Sequence, residues 1–338
     1  MPSPIRRLGG RAAFVAFAAS ITLAIVAASS AAAAEYPDRP IRVVVAIAAG
    51  SVTDVIARAS AAELSPRLGQ QLVIENRGGA NGIPAADACK NARPDGYTIC
   101  LLNHGHFSFN PLQFNKLPYD PDSDFVPIAH LYFLIEGVFV PTALGVNTFA
   151  ELKALVKKNP GGLNYGTLGP GSPPDLFRQW LNRELGSNIV GIPYRGGGPI
   201  AQALAANQIQ VARMGIGNFL GLLQAGTVKP LATSAKTPLL PGVPDLAEAG
   251  IGFPSFGWWG MVAPKGTPQP IIDKLSAELI RQAKDPKFAE YLQRQAVRPS
   301  GMTPAEFTAF IKTDRARAKT FLALSGAPMK DYKPPEKK

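Results

Sequence analysis

Ile41-Arg42-Val43-Val44-Val45-Ala46-Ile47-Ala48-Ala49-Gly50-Ser51-Val52-Thr53-Asp54 changes texture once, at its glycine. The first half is apolar and rich in β-branched residues, the pattern of a strand covered on both faces. Gly50-Ser51-Val52-Thr53-Asp54 breaks that run, and Thr53 or Asp54 has the short polar side chain suited to cap a helix. Residues 54–68 then place Val55, Ile56, Ala59, Ala62, Leu64 and Leu68 at broadly helical spacing. The same alternation follows: a strand over 72–75, a glycine-rich turn at 78–82, a helix over 85–91 and a strand over 97–102. Strand, helix, strand, helix, strand in that order predicts a parallel sheet with helices on both faces.

Beyond a proline-rich passage, Leu117-Pro118-Tyr119-Asp120-Pro121, the alternation restarts. Thr148 opens a helix over 149–158, a strand covers 163–167, and a Gly/Pro/Ser turn at 169–174 leads into a helix over 175–185. A strand over 189–194, the turn Gly196-Gly197-Gly198 and a helix over 200–206 complete the second unit. Further strand-like segments lie at 210–214 and 230–233, and two amphipathic helices, 268–284 and about 303–324, close the chain. The expected fold is α/β and two-lobed, a flytrap in which each lobe is a mainly parallel sheet flanked by helices. Lobe 1 comprises 35–137 plus 256–338, and lobe 2 comprises 138–255. In open α/β sheets ligands bind beyond the carboxyl ends of the strands, where glycine-rich turns gather. Two such sets of turns facing each other make a cleft.

The chain begins with a basic stretch, Arg6, Arg7 and Arg11, then an apolar alanine-rich run and the tail Ala32-Ala33-Ala34 before Glu35. That layout is a secretory signal peptide over 1–34, so the working compartment is the periplasm. Its apolar run is near the lower limit of a bilayer span, and no basic stop-transfer cluster follows it. The formal charge of +11 drops to +8 once those three arginines leave. The composition, 46% hydrophobic and 17% charged, is that of a globular protein. No run of basic residues is dense enough for nucleic acid; Lys312, Arg315, Arg317 and Lys319 sit on a terminal helix, and Lys333, Lys337 and Lys338 in the tail. A positive field that draws anionic small molecules is the useful remainder. Cys89 and Cys100 permit one disulfide in an oxidising compartment or remain as buried thiols, and spacing alone decides neither.

Enzyme chemistry finds little support in the turns. Gly196-x-Gly198-x-x-Ala201 imitates a dinucleotide fingerprint, but no acidic residue occurs from Pro199 through Leu240 to hold a ribose, so no cofactor is expected. Gly169-Pro170-Gly171-Ser172-Pro173 lacks the spacing of a nucleophile elbow. His104 and His106 would share a face on a continuing strand, but no third metal ligand accompanies them. His104, after Asn103, reads either as a cleft-wall donor or as a solvated loop residue. Phe256-Gly257-Trp258-Trp259-Gly260 reads as core or as a lobe-crossing segment whose rings line a pocket. Each glycine-rich turn at a helix N-terminus offers free N–H groups to an anion.

Taken in order, many short motifs resemble the exported receptors of the tripartite tricarboxylate transporter family, the Bordetella uptake gene (Bug) receptors. They are Tyr36-Pro37-Asp38-Arg39-Pro40-Ile41-Arg42, Thr53-Asp54 with Ala57-Arg58, Glu75-Asn76-Arg77-Gly78-Gly79-Ala80, and Pro94-Asp95-Gly96-Tyr97-Thr98. Leu117-Pro118-Tyr119-Asp120-Pro121, Asp124-Phe125, Leu163-Asn164-Tyr165 and Pro193-Tyr194-Arg195-Gly196-Gly197-Gly198-Pro199 follow. Ala263-Pro264-Lys265-Gly266-Thr267-Pro268 and the stretch 286–292 complete the series, so that the likeness covers essentially all of 36–328. The resemblance implies two lobes, no catalysis, and a ligand carboxylate held by loop N–H groups, hydroxyls and waters. It assigns the site to Ile47, Ser51, Val52, Thr53 and Asp54 of the first turn, with Asn103 and His104. From the opposite lobe it takes Gly169, Gly171, Ser172, Pro173, Tyr194, Arg195 and Gly197; Trp258 is added from the pocket-lining reading of the crossing segment, not from the resemblance.

The departures bear on the ligand. The family's first turn usually reads Pro-Phe-Pro-Pro-Gly-Gly-Gly-Thr-Asp, and this chain replaces three prolines and two glycines. Val52 is a poor residue for φ > 0, so a changed backbone path is expected. Where relatives carry Phe-Asp, this chain has Arg213-Met214. An added cation there implies a ligand without an ammonium, a di- or aromatic carboxylate rather than an amino acid; the alternative is that Arg213 points at solvent or pairs with a neighbouring acid. Arg195, usually lysine in relatives, is suited to fork a carboxylate or to sit on the rim. The expected function is a monomeric solute-binding receptor that captures a small carboxylate and delivers it to the permease subunits of a tripartite transporter. The alternatives are a receptor that presents its ligand to a membrane sensor and a periplasmic hydrolase or lyase on the same scaffold.

Overall fold

The computed structural model describes residues 36–254 and 257–332. The leader expected at 1–34, Phe256 and the basic tail lie outside the described residues.

The opening stretch folds as its texture requires. Strand β1 (Ile41–Val45) leads into helix α1 (Val52–Leu68), followed by β2 (Leu72–Asn76), α2 (Ile83–Lys90) and β3 (Thr98–Asn103). All three strands run parallel, with β1 between β2 and β3. Strands β4 (Phe125–Leu134), β10 (Trp258–Pro264) and β11 (Val297–Met302) extend this sheet to the order β11-β4-β10-β3-β1-β2. Strands β10 and β11 run against the rest, and β4, antiparallel to both of them, runs the same way as β1 to β3.

The second sheet repeats the plan. Its order is β7-β6-β8-β5-β9, with β5 (Glu136–Pro141), β6 (Asn164–Thr167), β7 (Val190–Pro193), β8 (Val211–Gly215) and β9 (Val228–Thr233). Strands β7, β6 and β8 are parallel, and β5 and β9 are antiparallel additions. Helices α3 (Phe149–Lys158), α4 (Pro173–Leu185) and α5 (Gly197–Ala205) connect them. Thr148 caps α3 as the sequence predicts, its hydroxyl accepting from Glu151 N at 3.1 Å. Strand direction is therefore mainly shared: four of the six strands in the first sheet and four of the five in the second run the same way. The reversed strands, β5, β10 and β11, lack the strand–turn–helix punctuation that marks the others.

The chain crosses from one sheet to the other at Ile135, between β4 and β5, and returns between Thr233 and Trp258. Helices α6 (Gln269–Ala283) and α7 (Pro286–Arg294) follow β10, and the long α8 (Pro304–Ser325) ends the fold. Phe307, near the start of α8, packs edge-on against Trp258 of the first sheet at 5.4 Å. Ala318 and Phe321, near its end, belong to the second sheet's core with Tyr165, Leu176, Phe177 and Phe253. The terminal helix thus packs on both sheets, although its residues were expected in the first lobe alone.

Cys89, late in α2, is bonded to Cys100 in the middle of β3, with Cα atoms 6.1 Å apart. The bridge fastens α2 to its own sheet. The Gly78–Gly82 turn ahead of α2 and Asn103 at the end of β3 therefore spring from two elements held in fixed relation.

Candidate functional site

The carboxyl ends of the parallel strands in both sheets converge on one cavity of about 60 Å3. The first sheet contributes Ile47, Ser51, Val52 and Thr53 from the β1–α1 turn, Gly79, Asn81 and Gly82, and Asn103 and His104 after β3. The second contributes Leu168, Ser172, Pro173 and Arg195, with Glu136, Met214 and Asn218. Trp259 of β10 completes the wall.

Several direct hydrogen bonds join the two sets of loops. Ala48 N donates to Arg195 O at 3.1 Å, and Asn81 N to Leu168 O at 3.3 Å. Val52 N donates to Asn218 Oδ1 at 2.9 Å, and Gly198 N to Ser51 Oγ at 3.4 Å. Asn81 Nδ2 donates to Pro170 O at 3.0 Å, and Gln113 Nε2 to Gly171 O. The approach leaves no room at Gly78, where a Cβ would lie 2.5 Å from both Ala48 N and Arg195 O. The two sides are closed on each other.

The altered first turn has a simple path. Gly50 takes φ +77°, and Val52 is already the first residue of α1, so the substituted valine is not asked for a left-handed conformation. Asp54 corrects two expectations. It does not cap α1, whose N-cap position is Ser51 without a side-chain cap, and it does not line the cavity. Its buried carboxylate instead accepts from Gly50 N at 2.9 Å, from Asn76 Nδ2 at 2.9 Å and from Arg58 Nε at 3.2 Å. Burial opposes its ionisation, but those donors outweigh it and hold the carboxyl below its ordinary range. Asp54 therefore shapes the turn from behind.

The turn's N–H groups are mostly engaged within the protein. Ala48 N and Val52 N reach the opposite side, Ser51 N donates to Ala48 O, and Gly50 N to Asp54. On the opposite turn, Ser172 caps α4: its hydroxyl donates to Gly169 O at 2.7 Å and accepts from Leu168 N and Asp175 N. Gly169 and Gly171 supply left-handed turns, and their own N–H groups donate to Thr167 Oγ1 and Asp175. Gly169, Gly171, Tyr194 and Gly197 do not line the cavity.

Side-chain donors remain. Trp259 is 3% exposed, lines the cavity, and its indole N–H has no protein partner. The sequence reading chose its neighbour, but Trp258 is fully buried with Nε1 donating 2.8 Å to Asp314. Strand alternation decides this: adjacent residues of β10 face opposite sides of the sheet. Asn103 Oδ1 accepts from Gly105 N at 2.9 Å, so the group it offers to a ligand is the Nδ2 amide. His104 lines the cavity, but its Nδ1 faces the Trp258 backbone. Burial, with smaller contributions from His106 and Arg213, lowers its pKa to about 4, so the ring is neutral at pH 7. His106 turns away, its ring nitrogen 2.9 Å from Asn103 Oδ1.

Arg213 is not a cation presented to the cavity. Its guanidinium lies 3.1 Å from Glu136, donates 2.7 Å to Pro254 O and stacks 4.7 Å over Phe177. Its acid partner, unforeseen from sequence, does line the cavity. Nothing local in Ile135-Glu136-Gly137 singles that residue out; the strand order does.

The sequence over 56–326 matches the family described as the tripartite tricarboxylate transporter family receptor. The chain belongs to that family. Among similar proteins, a UPF0065 protein of Bordetella pertussis is 33% identical over 299 residues, covering 87% of this chain and 92% of its own. The structure of the periplasmic binding protein BugD superposes with a TM-score of 0.83 at 32% identity, over 87% of this chain and 100% of that one. MatC from Rhodopseudomonas palustris, solved with bound malate, superposes at 0.79 and 32% identity, over 85% and 100%. As in these receptors, two sheets with flanking helices carry the architecture.

Proposed function

We propose that this receptor works in the periplasm, as a monomer that captures a small carboxylate between two lobes and delivers it to the permease subunits of a tripartite transporter. The observation that carries the reading is the cavity between the sheets, walled by loops from both and holding an unpartnered buried indole N–H. An acceptor there contacts both sides at once, so it favours the closed state by its differential affinity. The family and the malate bound to MatC support a carboxylate as that acceptor. The Ser172 hydroxyl is engaged in capping its helix, which favours binding over acyl-transfer chemistry. The Glu136–Arg213 pair removes the argument for a ligand without an ammonium, because no free cation faces the cavity at Arg213.

A thermal-shift panel of mono-, di- and tricarboxylates, aromatic acids and amino acids tests the reading. A ligand at 100 times its Kd adds about 2.7 kcal/mol, a shift of roughly 5–10 °C at this size. One carboxylate class shifting the transition, with the compound recovered unchanged, is the expected result. Consumption of a compound would replace the receptor reading with an enzyme.

A further inference from the structure

The cavity has an electrical polarity. Among the described residues its charged lining side chains are Arg195 and Glu136, and they belong to opposite ends of one wall. Arg195 follows β7, the edge strand, whereas Glu136 opens β5, three places along the order β7-β6-β8-β5. Strand spacing puts their backbones about 14 Å apart along the sheet. Both stand at the same end of it, because β5 runs antiparallel to β8 and Glu136 pairs with Gly215.

Between them the second sheet's wall offers little else. Leu168 and Met214 are apolar, the Ser172 hydroxyl is engaged in its turn, and the Asn218 amide bonds Val52 N and Gly215 O. The facing wall supplies neutral donors, Trp259 Nε1 and Asn103 Nδ2. Behind Glu136 lies a small side chamber lined by Glu136, Pro173, Pro174, Arg213, Phe253 and Phe321. Arg213 borders that chamber but not the main cavity, is only 4% exposed, and its Nε has no partner. The main cavity therefore meets the carboxylate of the pair first and the guanidinium only behind it.

We propose that Glu136, backed by Arg213, selects the far end of the ligand: a short carboxylate carrying a hydrogen-bond donor, hydroxyl or ammonium, at the end away from its carboxylate. The inference rests on the reading of this cavity as a carboxylate site. The ligand's carboxylate lies toward Arg195 and the neutral donors, and its donor lies against Glu136. A second carboxylate there would meet a like charge at hydrogen-bond range, whereas a hydroxyl or ammonium donates to it. An unsubstituted chain would leave the Glu136 carboxylate desolvated without a new donor.

The test is calorimetric titration of the ligand-stripped receptor with matched four- and five-carbon series. The four-carbon set is butyrate, 4-hydroxybutyrate, 4-aminobutyrate and succinate, and the five-carbon set is built alike. At one of these lengths the hydroxy or the amino acid binds at least tenfold more tightly than the dicarboxylate and the unsubstituted acid, and the better of the two identifies the donor. Glu136→Gln leaves Arg213 uncompensated and reverses the order in favour of the dicarboxylate. Should that variant fail to fold, Glu136→Gln with Arg213→Gln keeps a neutral pair and compresses each series to within about threefold. Tightest binding of the dicarboxylate with Glu136 intact overturns the inference and leaves the receptor reading standing. An unchanged order in Glu136→Gln does the same. No binding by these series or by the wider carboxylate panel overturns both.

Discussion

Trp258 and Trp259 allow a paired experiment in which one substitution should affect binding and its neighbour stability. Replacing either by phenylalanine removes the same atoms and the N–H with them, although the packing loss depends on each ring's surroundings. The Trp259 N–H faces the cavity without a protein partner, whereas that of Trp258 donates to the buried Asp314 at 2.8 Å. A hydrogen bond to a charged acceptor contributes about 1.5–3 kcal/mol. Trp259→Phe should therefore raise the Kd for the tightest carboxylate of the panel by roughly ten- to 150-fold. Trp258→Phe leaves Asp314 with the Ser108 hydroxyl as its remaining donor at 2.5 Å. It should cost about 1–3 kcal/mol of folding stability beyond the packing loss, with the Kd nearly unchanged. Calorimetric titration gives the first quantity and urea unfolding the second. Equal effects of the two variants on Kd, or an unchanged Kd in Trp259→Phe, would refute the assignment of the indole to the ligand.

Three further outcomes follow from the same structure. Reducing the Cys89–Cys100 bridge, or replacing both cysteines by alanine, should lower stability by about 3 kcal/mol by the chain-entropy estimate for so short a loop, measured by urea unfolding with and without reductant; an unchanged midpoint would exclude that account. Burial lowers His104 and His106 to about 4 and His130 to about 3, all from an ordinary 6.5. Above pH 6.5 folded and unfolded chains both carry neutral rings; below it the unfolded chain binds protons that the folded one refuses. Stability should fall on acidification from pH 6.5 toward 4, by up to about 1.4 kcal/mol per pH unit for each histidine, and a melting temperature flat over that window would contradict it. Asp54→Ala strands Gly50 N and takes one of two acceptors from the Asn76 amide, which keeps Ile47 O, so a loss of about 1–3 kcal/mol in stability is expected with a lesser change in Kd; a large change in Kd at unaltered stability would place Asp54 in the cavity after all.

Local order was legible in the chain alone. A β-branched run, a glycine turn and a helical repeat are each decided by neighbours a few residues away, which is why β1, α1, α3 and the strand–turn–helix rhythm of both sheets could be read directly. The family likeness pointed to loops, several of which meet around the cavity. The choice of side chain within those loops depended on tertiary structure. Trp259 rather than Trp258 faces the cavity because β10 pairs with β3 in one register, Trp259 opposite Asn103. Asp54 lies behind its turn because Arg58 and Asn76 claim its carboxylate. Arg213 is neutralised because β5 lies beside β8, which sets Glu136 within 3.1 Å of it although the two stand 77 positions apart in the chain. Short-range spacing sets which elements form; strand order and register, products of long-range pairing, set which charges and donors meet.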